Sequence, residues 1–186
     1  LISQKRFDPK DFGQRLSAWH DDGYMAVDGV VFDVGVTTAR AIVAIQAGVP
    51  PLKAGPSGDY DNGNGSLMRV LPLALWHKGP PEELVKDAHA QSAVTHGHPR
   101  AQACCALFSI WVRNLLVAER SAWDKAVGSL RRIYANYPKH LEELDFSIRP
   151  DDFAEGTGSG YVVDSFRSAK AAAEERTFDA AMRKSI

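Results

Sequence analysis

The chain is poor in cysteine, with two among 186 residues, and these two, Cys104 and Cys105, are adjacent. Neighbouring helix positions do not face each other, so a disulfide between them would be strained. The sequence therefore offers no disulfide framework, and two thiols in an apolar segment fit a reducing cytoplasm better than secretion. We expect a cytoplasmic protein whose thiols are small core residues, with a redox or metal-binding pair as the alternative.

Excess charge and long apolar runs are lacking as well. The formal net charge is −1, so nothing electrostatic indicates nucleic acid or an anionic membrane as a partner. No apolar run approaches the roughly 20 residues that a membrane-spanning helix needs. Hydrophobic residues make up 45% and charged residues 24% of the chain, which is ordinary for a globular protein. The length is sufficient for one domain with its own core.

Motifs that would identify catalytic groups are also missing. We find no paired carboxylates, no nucleophile elbow and no Cys/His pair in a convincing context. His96 and His98 are separated by one residue, so they do not share a helix face, and no acidic cluster completes a metal site. We interpret His96 as closing a helix C-terminus, where a cation is favoured. The catalytic residues remain unknown, and the chain has no metal ligands of its own.

What the sequence does contain is a succession of helix signals. Asp8 and Pro9 start a first helix that Asp21–Gly23 ends, and Thr37 or Thr38 caps a second that stops before Pro50. Further helices are predicted over about 66–76 with a break at Pro72, 81–95, 99–119 with Leu115 inward, 122–134, 161–175, and after Thr177. Residues 138–155 are predicted to be an irregular, lid-like loop. Residues 23–36 are predicted to be a loop as well, so the fold is all-α, a compact multi-helix bundle.

Two Gly-rich loops each lead into a helix. In the first, Gly63 and Gly65 let backbone amides approach a ligand, and the helix start favours an anion such as phosphate. A tight turn capped by Asn64 or Ser66 is the alternative. The second, Gly156–Gly160, ends at Tyr161, whose ring can stack on a base or ribose. No strand precedes it, which excludes a dinucleotide-binding βαβ unit, and a flexible capped loop is the alternative.

The order of four motifs carries more information than any one of them. They are D-V-G-V-T-T-A-R (33–40), G-N-G-S-L-M-R-V-L-P (63–72), T-H-G-H-P (95–99) and G-S-G-Y-V-V-D-S (158–165). In this order and at these separations, the sequence resembles the ADP-ribosylglycohydrolase family, the all-helical hydrolases that include the dinitrogenase-reductase-activating type. The resemblance covers essentially the whole chain.

The resemblance implies hydrolysis of the bond between ADP-ribose and a modified acceptor, in a helical cleft that holds two magnesium ions. Asp33 is expected to accept the free amides at the next helix start, with orientation of a ligand as the alternative, and Thr37 is expected to play a structural role beside it. The expected ADP-ribose-binding residues are Asn62, Gly63, Asn64, Gly65, Ser66, Met68, Thr95, His96, Gly158, Ser159, Gly160 and Tyr161.

The chain departs from the family in its acidic motifs. The family takes its metal ligands from an Asp-Asp-Thr-like motif near the N-terminus and an Asp-x-Asp-Thr-like motif near the C-terminus. Neither occurs here, since Asp21-Asp22 is followed by Gly23. We therefore expect residues 1–186 to be a partial domain, incomplete at both ends and inactive alone. A module that binds ADP-ribose without cleaving it, and a structural or partner-binding helical protein, are the alternatives.

Overall fold

Capping residues set where the helices begin and end. The Asp8 carboxylate accepts hydrogen bonds from the amides of Lys10 and Asp11, Gly23 closes the same helix in the left-handed conformation, and Thr177 caps the last helix. The structure is a computed structural model and describes residues 7–185. It contains ten α-helices over this range: α1 Pro9–Asp22, α2 Val36–Gln46, α3 Gly65–Met68, α4 Leu71–Trp76, α5 Pro81–Ala93, α6 Pro99–Leu116, α7 Ala122–Tyr134, α8 Pro138–Glu142, α9 Val162–Ala173 and α10 Phe178–Lys184.

The all-α prediction is confirmed, since residues 7–185 form no strand beyond one isolated bridge between Gly63 and Tyr161. Pro72 divides its segment as predicted: α3 and α4 are separate, and Pro72 lies in the first turn of α4. The domain predicted over residues 1–186 extends past the described residues at both ends. No helix within residues 7–185 combines the length and apolar character needed to cross a membrane.

The core is built around α6. This helix is buried along most of its length and packs against α3, α4, α5, α7, α8 and α9. Cys104 and Cys105 lie in it as free, fully buried thiols, and burial raises the pKa of both. The largest fully buried side chains within residues 7–185 include Tyr134, Phe166, Ile42, Leu84, Leu107 and Leu130. Because α6 holds most of the other helices, the loops at its N-terminal end are fixed relative to one another.

Three local predictions are wrong. Leu115 is 48% exposed rather than inward, because α6 has left the core by its last turn. Neither Thr37 nor Thr38 caps α2, which begins at Val36 behind Gly35 without a side-chain cap. Residues 138–155 do not form an irregular lid. Most of them are helical: they form α8, a short π-helix over Glu143–Ile148 and a 3₁₀ turn over Pro150–Asp152. Leu144 and Ile148 are fully buried there, which anchors the segment to α6.

Candidate functional site

The two Gly-rich loops lie side by side. Gly63 and Tyr161 form an antiparallel bridge. On either side of it, the Asn64 amide donates to the Gly160 carbonyl and the Val162 amide donates to the Asn62 carbonyl, both at 2.9 Å. Two segments that are far apart in the sequence therefore form one continuous surface.

Side chains add a second connection between the loops. Asn64 Nδ2 donates to Ser165 Oγ at 2.8 Å, and Ser165 Oγ donates to the Ser159 carbonyl at 2.8 Å. The Asn64 side chain thus ties the first loop to the second, in addition to its backbone contact with Gly160. Asn64 is a structural link between the loops, whether or not it also touches a ligand.

A cavity of about 370 Å³ opens between the loops, and four of the predicted ligand-binding residues line it. Tyr60 is fully exposed at its rim, and Tyr161 is 39% exposed. Asn62 is 3% exposed, and its Nδ2 donates to the Asp59 carbonyl, whereas its Oδ1 has no hydrogen-bond partner among residues 7–185. A buried amide oxygen without a partner is rare and suits a donor supplied from outside the chain. The lining residues are Asp59, Tyr60, Asn62, Gly63, Gly160 and Tyr161.

The turn after α5 forms the inner wall of the site. The Gly55 amide donates to the Ala93 carbonyl at 3.2 Å, and the Gly97 amide donates to the Pro56 carbonyl at 2.8 Å. A β-carbon on Gly65 would lie 3.0 Å from His96 Cε1, and one on Gly63 would lie 3.6 Å from His96 Nε2. The imidazole of His96 therefore packs directly beneath the first Gly-rich loop.

A short relay fixes the tautomer of His96. Arg69 donates to Thr95 Oγ1 at 2.7 Å, and Thr95 Oγ1 lies 2.7 Å from His96 Nδ1. All three groups are satisfied when the Thr95 hydroxyl donates a hydrogen bond to Nδ1, which places the N–H of the neutral imidazole on Nε2. His96 then presents an N–H donor toward Gly63 and Gly65.

His96 is uncharged in this environment. Burial and, to a lesser extent, the Arg69 charge lower its pKa from 6.5 to about 4, and the Asp61 charge opposes this change. The interpretation of His96 as a cation at a helix C-terminus is therefore wrong. A neutral imidazole can donate a hydrogen bond at neutral pH without a counter-ion.

Arg69 holds this part of the site together with its guanidinium group. Its nitrogens donate to Gln91 Oε1 at 3.1 Å, to the Gln91 carbonyl at 2.8 Å, to Thr95 Oγ1 and to the Gly65 carbonyl. All these acceptors are neutral, and no carboxylate pairs with Arg69 within residues 7–185. Burial lowers the pKa of Arg69 to about 10. The planar fork of the guanidinium group links α3, α5 and the turn that carries His96.

Replacing Arg69 with lysine is expected to lower the free energy of unfolding by about 2 kcal/mol. The ammonium group keeps the charge but cannot reach four acceptors at once, so buried acceptors lose their partners. Arg113→Lys is the matched control, because Arg113 makes a single hydrogen bond to the Gly79 carbonyl. Urea denaturation of both variants measures the difference. Equal transition midpoints would show that Arg69 is not needed as a guanidinium.

The remaining predicted residues lie at different depths. Ser66 is fully buried, accepts a hydrogen bond from Ser92 Oγ at 3.0 Å and lies 3.5 Å from Cys105 Sγ, so it faces the core. Met68 is 74% exposed on the short helix α3. This helix is a single turn, so its dipole contributes little to anion binding.

The last predicted residues lie in two places, the segment around α2 and the second Gly-rich loop. Asp33 is exposed in the segment before α2 and, within residues 7–185, makes no hydrogen bond to the first turn of that helix. Thr37 is half-buried, whereas Thr38 Oγ1 would lie 3.5 Å from a β-carbon on Gly65. Gly158 and Ser159 are exposed, and Gly158 adopts φ +80°. Their roles in ligand binding stay predictions.

Several residues that shape the site were missed. Asp61 accepts a hydrogen bond from Arg40 Nη1 at 2.9 Å, and Asp164 accepts several from the second Gly-rich loop. Arg100 donates to the Tyr161 hydroxyl at 3.2 Å and forms an ion pair with Glu143. Arg40 and Asp164 lie within the four quoted motifs, as does Arg69, so the motifs contained a signal for them. The sequence does not reveal which groups they bind, since Arg40 meets Asp61 from another segment and Asp164 turns back to its own loop.

The described residues do not form a metal site on their own. No group of three or more His, Cys, Asp or Glu side chains within residues 7–185 is arranged to hold a metal ion. His96 points toward Gly63 and Gly65, whereas His98 Nδ1 accepts the Arg100 amide at the start of α6. This stretch of chain therefore does not fit a magnesium ion by itself.

Comparison with known proteins agrees with the motif order. The sequence profile of the family described as ADP-ribosylglycohydrolase matches residues 1–186. The ADP-ribosylarginine hydrolase Tri1 of Pseudomonas putida (strain GB-1) is 29% identical over 176 residues, which cover 90% of this chain and 44% of that protein. The ADP-ribosyl-[dinitrogen reductase] glycohydrolase of Rhodospirillum rubrum is 34% identical over 113 residues, which cover 61% of this chain and 35% of that protein. The chain thus spans less than half the length of these relatives.

Proposed function

Because the chain belongs to the ADP-ribosylglycohydrolase family, we propose that its protein hydrolyses the bond between ADP-ribose and a modified acceptor. In this proposal the cavity between the two Gly-rich loops holds part of the ADP-ribose. The observation that carries it is the joining of those loops by the Gly63–Tyr161 bridge, which places four of the predicted ligand-binding residues around one cavity. A cavity of about 370 Å³ lies within the range of small-molecule sites.

The chemistry of the lining suits a nucleotide. Tyr60 and Tyr161 offer exposed aromatic rings on which a base or ribose can stack. Asn62 Oδ1 is an unpaired acceptor for a ribose hydroxyl or an exocyclic amine. His96 is 2% exposed and is not among the cavity-lining residues, so it supports the first Gly-rich loop from below. Gly65 leaves room for this packing, since a side chain there would crowd the imidazole.

For the acceptor we propose ADP-ribosylated arginine as the first to test. The relative that covers 90% of this chain carries that activity in its name, and the second acts on ADP-ribosylated dinitrogen reductase. Magnesium as the cofactor and the cytoplasm as the location also belong to the proposal.

The experiment is to incubate the full-length protein with an ADP-ribosylated arginine substrate and Mg²⁺, and to measure released ADP-ribose. We expect release that saturates with substrate. The proposal is abandoned if no ADP-ribose is released from any modified protein or small acceptor.

Replacing Tyr161 with alanine is expected to raise the Kd for ADP-ribose about 5- to 150-fold. The reason is the loss of one stacking contact, which contributes about 1–3 kcal/mol. Tyr24→Ala is the control, because Tyr24 is also partly exposed but lies outside the cavity. Isothermal titration calorimetry with ADP-ribose measures both variants. Equal affinities would remove Tyr161 from the binding surface.

A second candidate function is the binding of ADP-ribose without hydrolysis. The observation in its favour is the cavity between the two Gly-rich loops, which would hold ADP-ribose equally well without hydrolysis. Calorimetric binding in excess Mg²⁺ without turnover is the signature of this function. A purely structural protein would instead show no shift of its melting temperature with ADP-ribose.

A further inference from the structure

The second Gly-rich loop is wrapped around a carboxylate of its own chain. Asp164, in the first turn of α9, accepts hydrogen bonds from the Thr157 amide at 2.8 Å, the Ser159 amide at 2.6 Å and the Thr157 hydroxyl at 3.1 Å. Both carboxylate oxygens are used. A loop whose amides converge in this way is a typical anion cradle, and here the anion is a side chain.

The Asp164 carboxylate interacts with groups of the second Gly-rich loop. No lysine or arginine within residues 7–185 forms an ion pair with it. The hydrogen bonds from Thr157 and Ser159 stabilise the carboxylate and lower its pKa to about 2. Asp164 is therefore ionised at any pH at which the protein would work. Phosphate would have to displace it to occupy the same amides, so this cradle is not a free phosphate site.

The loop that Asp164 holds is the one that forms the cavity wall. Gly160 and Tyr161 follow directly after the two hydrogen-bonded residues and line the cavity. The next residue after Asp164, Ser165, bonds both the Ser159 carbonyl and Asn64 Nδ2. The Asp164 carboxylate therefore affects the position of the cavity wall in two ways, through Ser159 before the wall residues and through Ser165 after them.

Gly156 closes the other end of the loop. A β-carbon there would lie 2.3 Å from the Asp164 carbonyl and 2.7 Å from the Ser168 amide, so the loop begins in direct contact with α9. Its start is therefore fixed by backbone packing and its middle by the carboxylate.

We propose that Asp164 is a positioning residue, which sets Gly160 and Tyr161 for ligand binding by filling the cradle of the second Gly-rich loop. It does not touch the ligand itself. The inference rests on the proposed function, because it names the residue that prepares the ADP-ribose-binding wall. Without the carboxylate, the loop would sample other conformations, and binding would have to select the right one.

The test is Asp164→Asn in the full-length protein. The carboxamide keeps the size of the side chain but replaces one acceptor oxygen with a donor, which then faces an N–H or O–H donor of the loop. Glu174→Gln, at the C-terminal end of α9, is the matched control, because it makes the same chemical change on the same helix, in an ion pair with Lys170. Thr157→Val removes only the hydroxyl contact and gives a second variant with a milder effect.

For Asp164→Asn we expect the Kd for ADP-ribose and the KM to rise about tenfold, while kcat changes by less than about twofold. Thr157→Val should shift KM in the same direction by less, and Glu174→Gln should not shift it. A general loss of folding would lower the active fraction, and with it kcat, and would leave KM unchanged. An unchanged KM in Asp164→Asn, or a fall in kcat alone, overturns the inference.

A measurement without ligand separates this inference from the proposed function. The Thr157 and Ser159 amides should exchange with solvent about tenfold faster in Asp164→Asn than in the wild type. Unchanged exchange overturns the cradle whatever the ligand. Wild-type protein that neither binds nor hydrolyses ADP-ribosyl compounds overturns the proposed function, and the positioning role falls with it even if the exchange rates change.

Discussion

Replacing Gly55 with alanine is expected to lower the free energy of unfolding by about 3 kcal/mol or more, because it separates the first Gly-rich loop from the turn after α5. A β-carbon at Gly55 would lie 2.4 Å from the Ala93 carbonyl, 2.6 Å from the His96 amide and 2.7 Å from Thr95 C. These are backbone atoms, so no side-chain rotation relieves the clash. The hydrogen bonds from Gly55 to Ala93 and from Gly97 to Pro56 would be lost together.

The matched control is Gly160→Ala in the other loop. Nothing lies within 4 Å of a β-carbon at Gly160, and its φ lies outside the left-handed range. We expect a change of less than about 0.5 kcal/mol for this variant. Urea denaturation gives both values. Unfolding of the two variants at the same urea concentration would contradict the expected clash at Gly55.

The second large effect is loss of stability in acid. Between pH 7 and pH 4 the free energy of unfolding is expected to fall by several kcal/mol, because histidines that are buried and neutral in the folded protein must take up protons. Burial lowers the pKa of His89 to about 3 and of His96 to about 4, and also lowers that of His140. One pKa unit corresponds to about 1.4 kcal/mol.

The direction follows from the order of the pKa values. In the unfolded chain these histidines titrate near 6.5, above their folded values, so between pH 6.5 and 4 the unfolded state binds more protons. Their contribution is complete above about pH 6.5 and is lost as the pH falls. His89 and His140 make the effect steeper, because their rings stack at 4.4 Å and two charges there would repel.

Denaturant titrations at pH 7, 6, 5 and 4 measure this loss. His89→Gln should flatten the dependence, since it removes the largest of the histidine shifts. A free energy of unfolding that is constant from pH 7 to pH 4 would contradict the assignment of neutral, buried histidines.

The fold could be predicted from the sequence because its signals are local. Asp8, Thr177 and Gly23 act on residues within one turn, and the structure uses all three as predicted. The predictions were wrong where packing against distant parts of the chain decides the structure. Leu115 continues the apolar pattern of α6, but no element covers that last turn. The charged segment 138–155 looked like a loop, yet Leu144 and Ile148 anchor it to the core.

In the candidate site, too, the local features could be predicted from the sequence and the contacts between distant residues could not. The glycines and Tyr161 were recognisable because Gly-rich loops before helices have a characteristic composition. The hydrogen bonds that shape them were not, since Asn64 and Ser165 are 101 positions apart and Arg69 meets Thr95 26 positions away. Asp164 reads as an ordinary acidic residue in the first turn of a helix, and only the structure shows that it turns back to bind the loop before it.

The long separation between the two loops also bears on how the protein folds. The hydrogen bond between Asn64 and Ser165 closes a chain segment of 101 positions. The entropic cost of closing this segment is smaller once the packing of α5, α6 and α7 has brought the two loops near each other. We therefore expect the contact between the two loops to form late in folding and to open early in native-state fluctuations. A ligand that bridges the loops would restrain this late-forming contact, and would act on the rate of local opening before it affected the core.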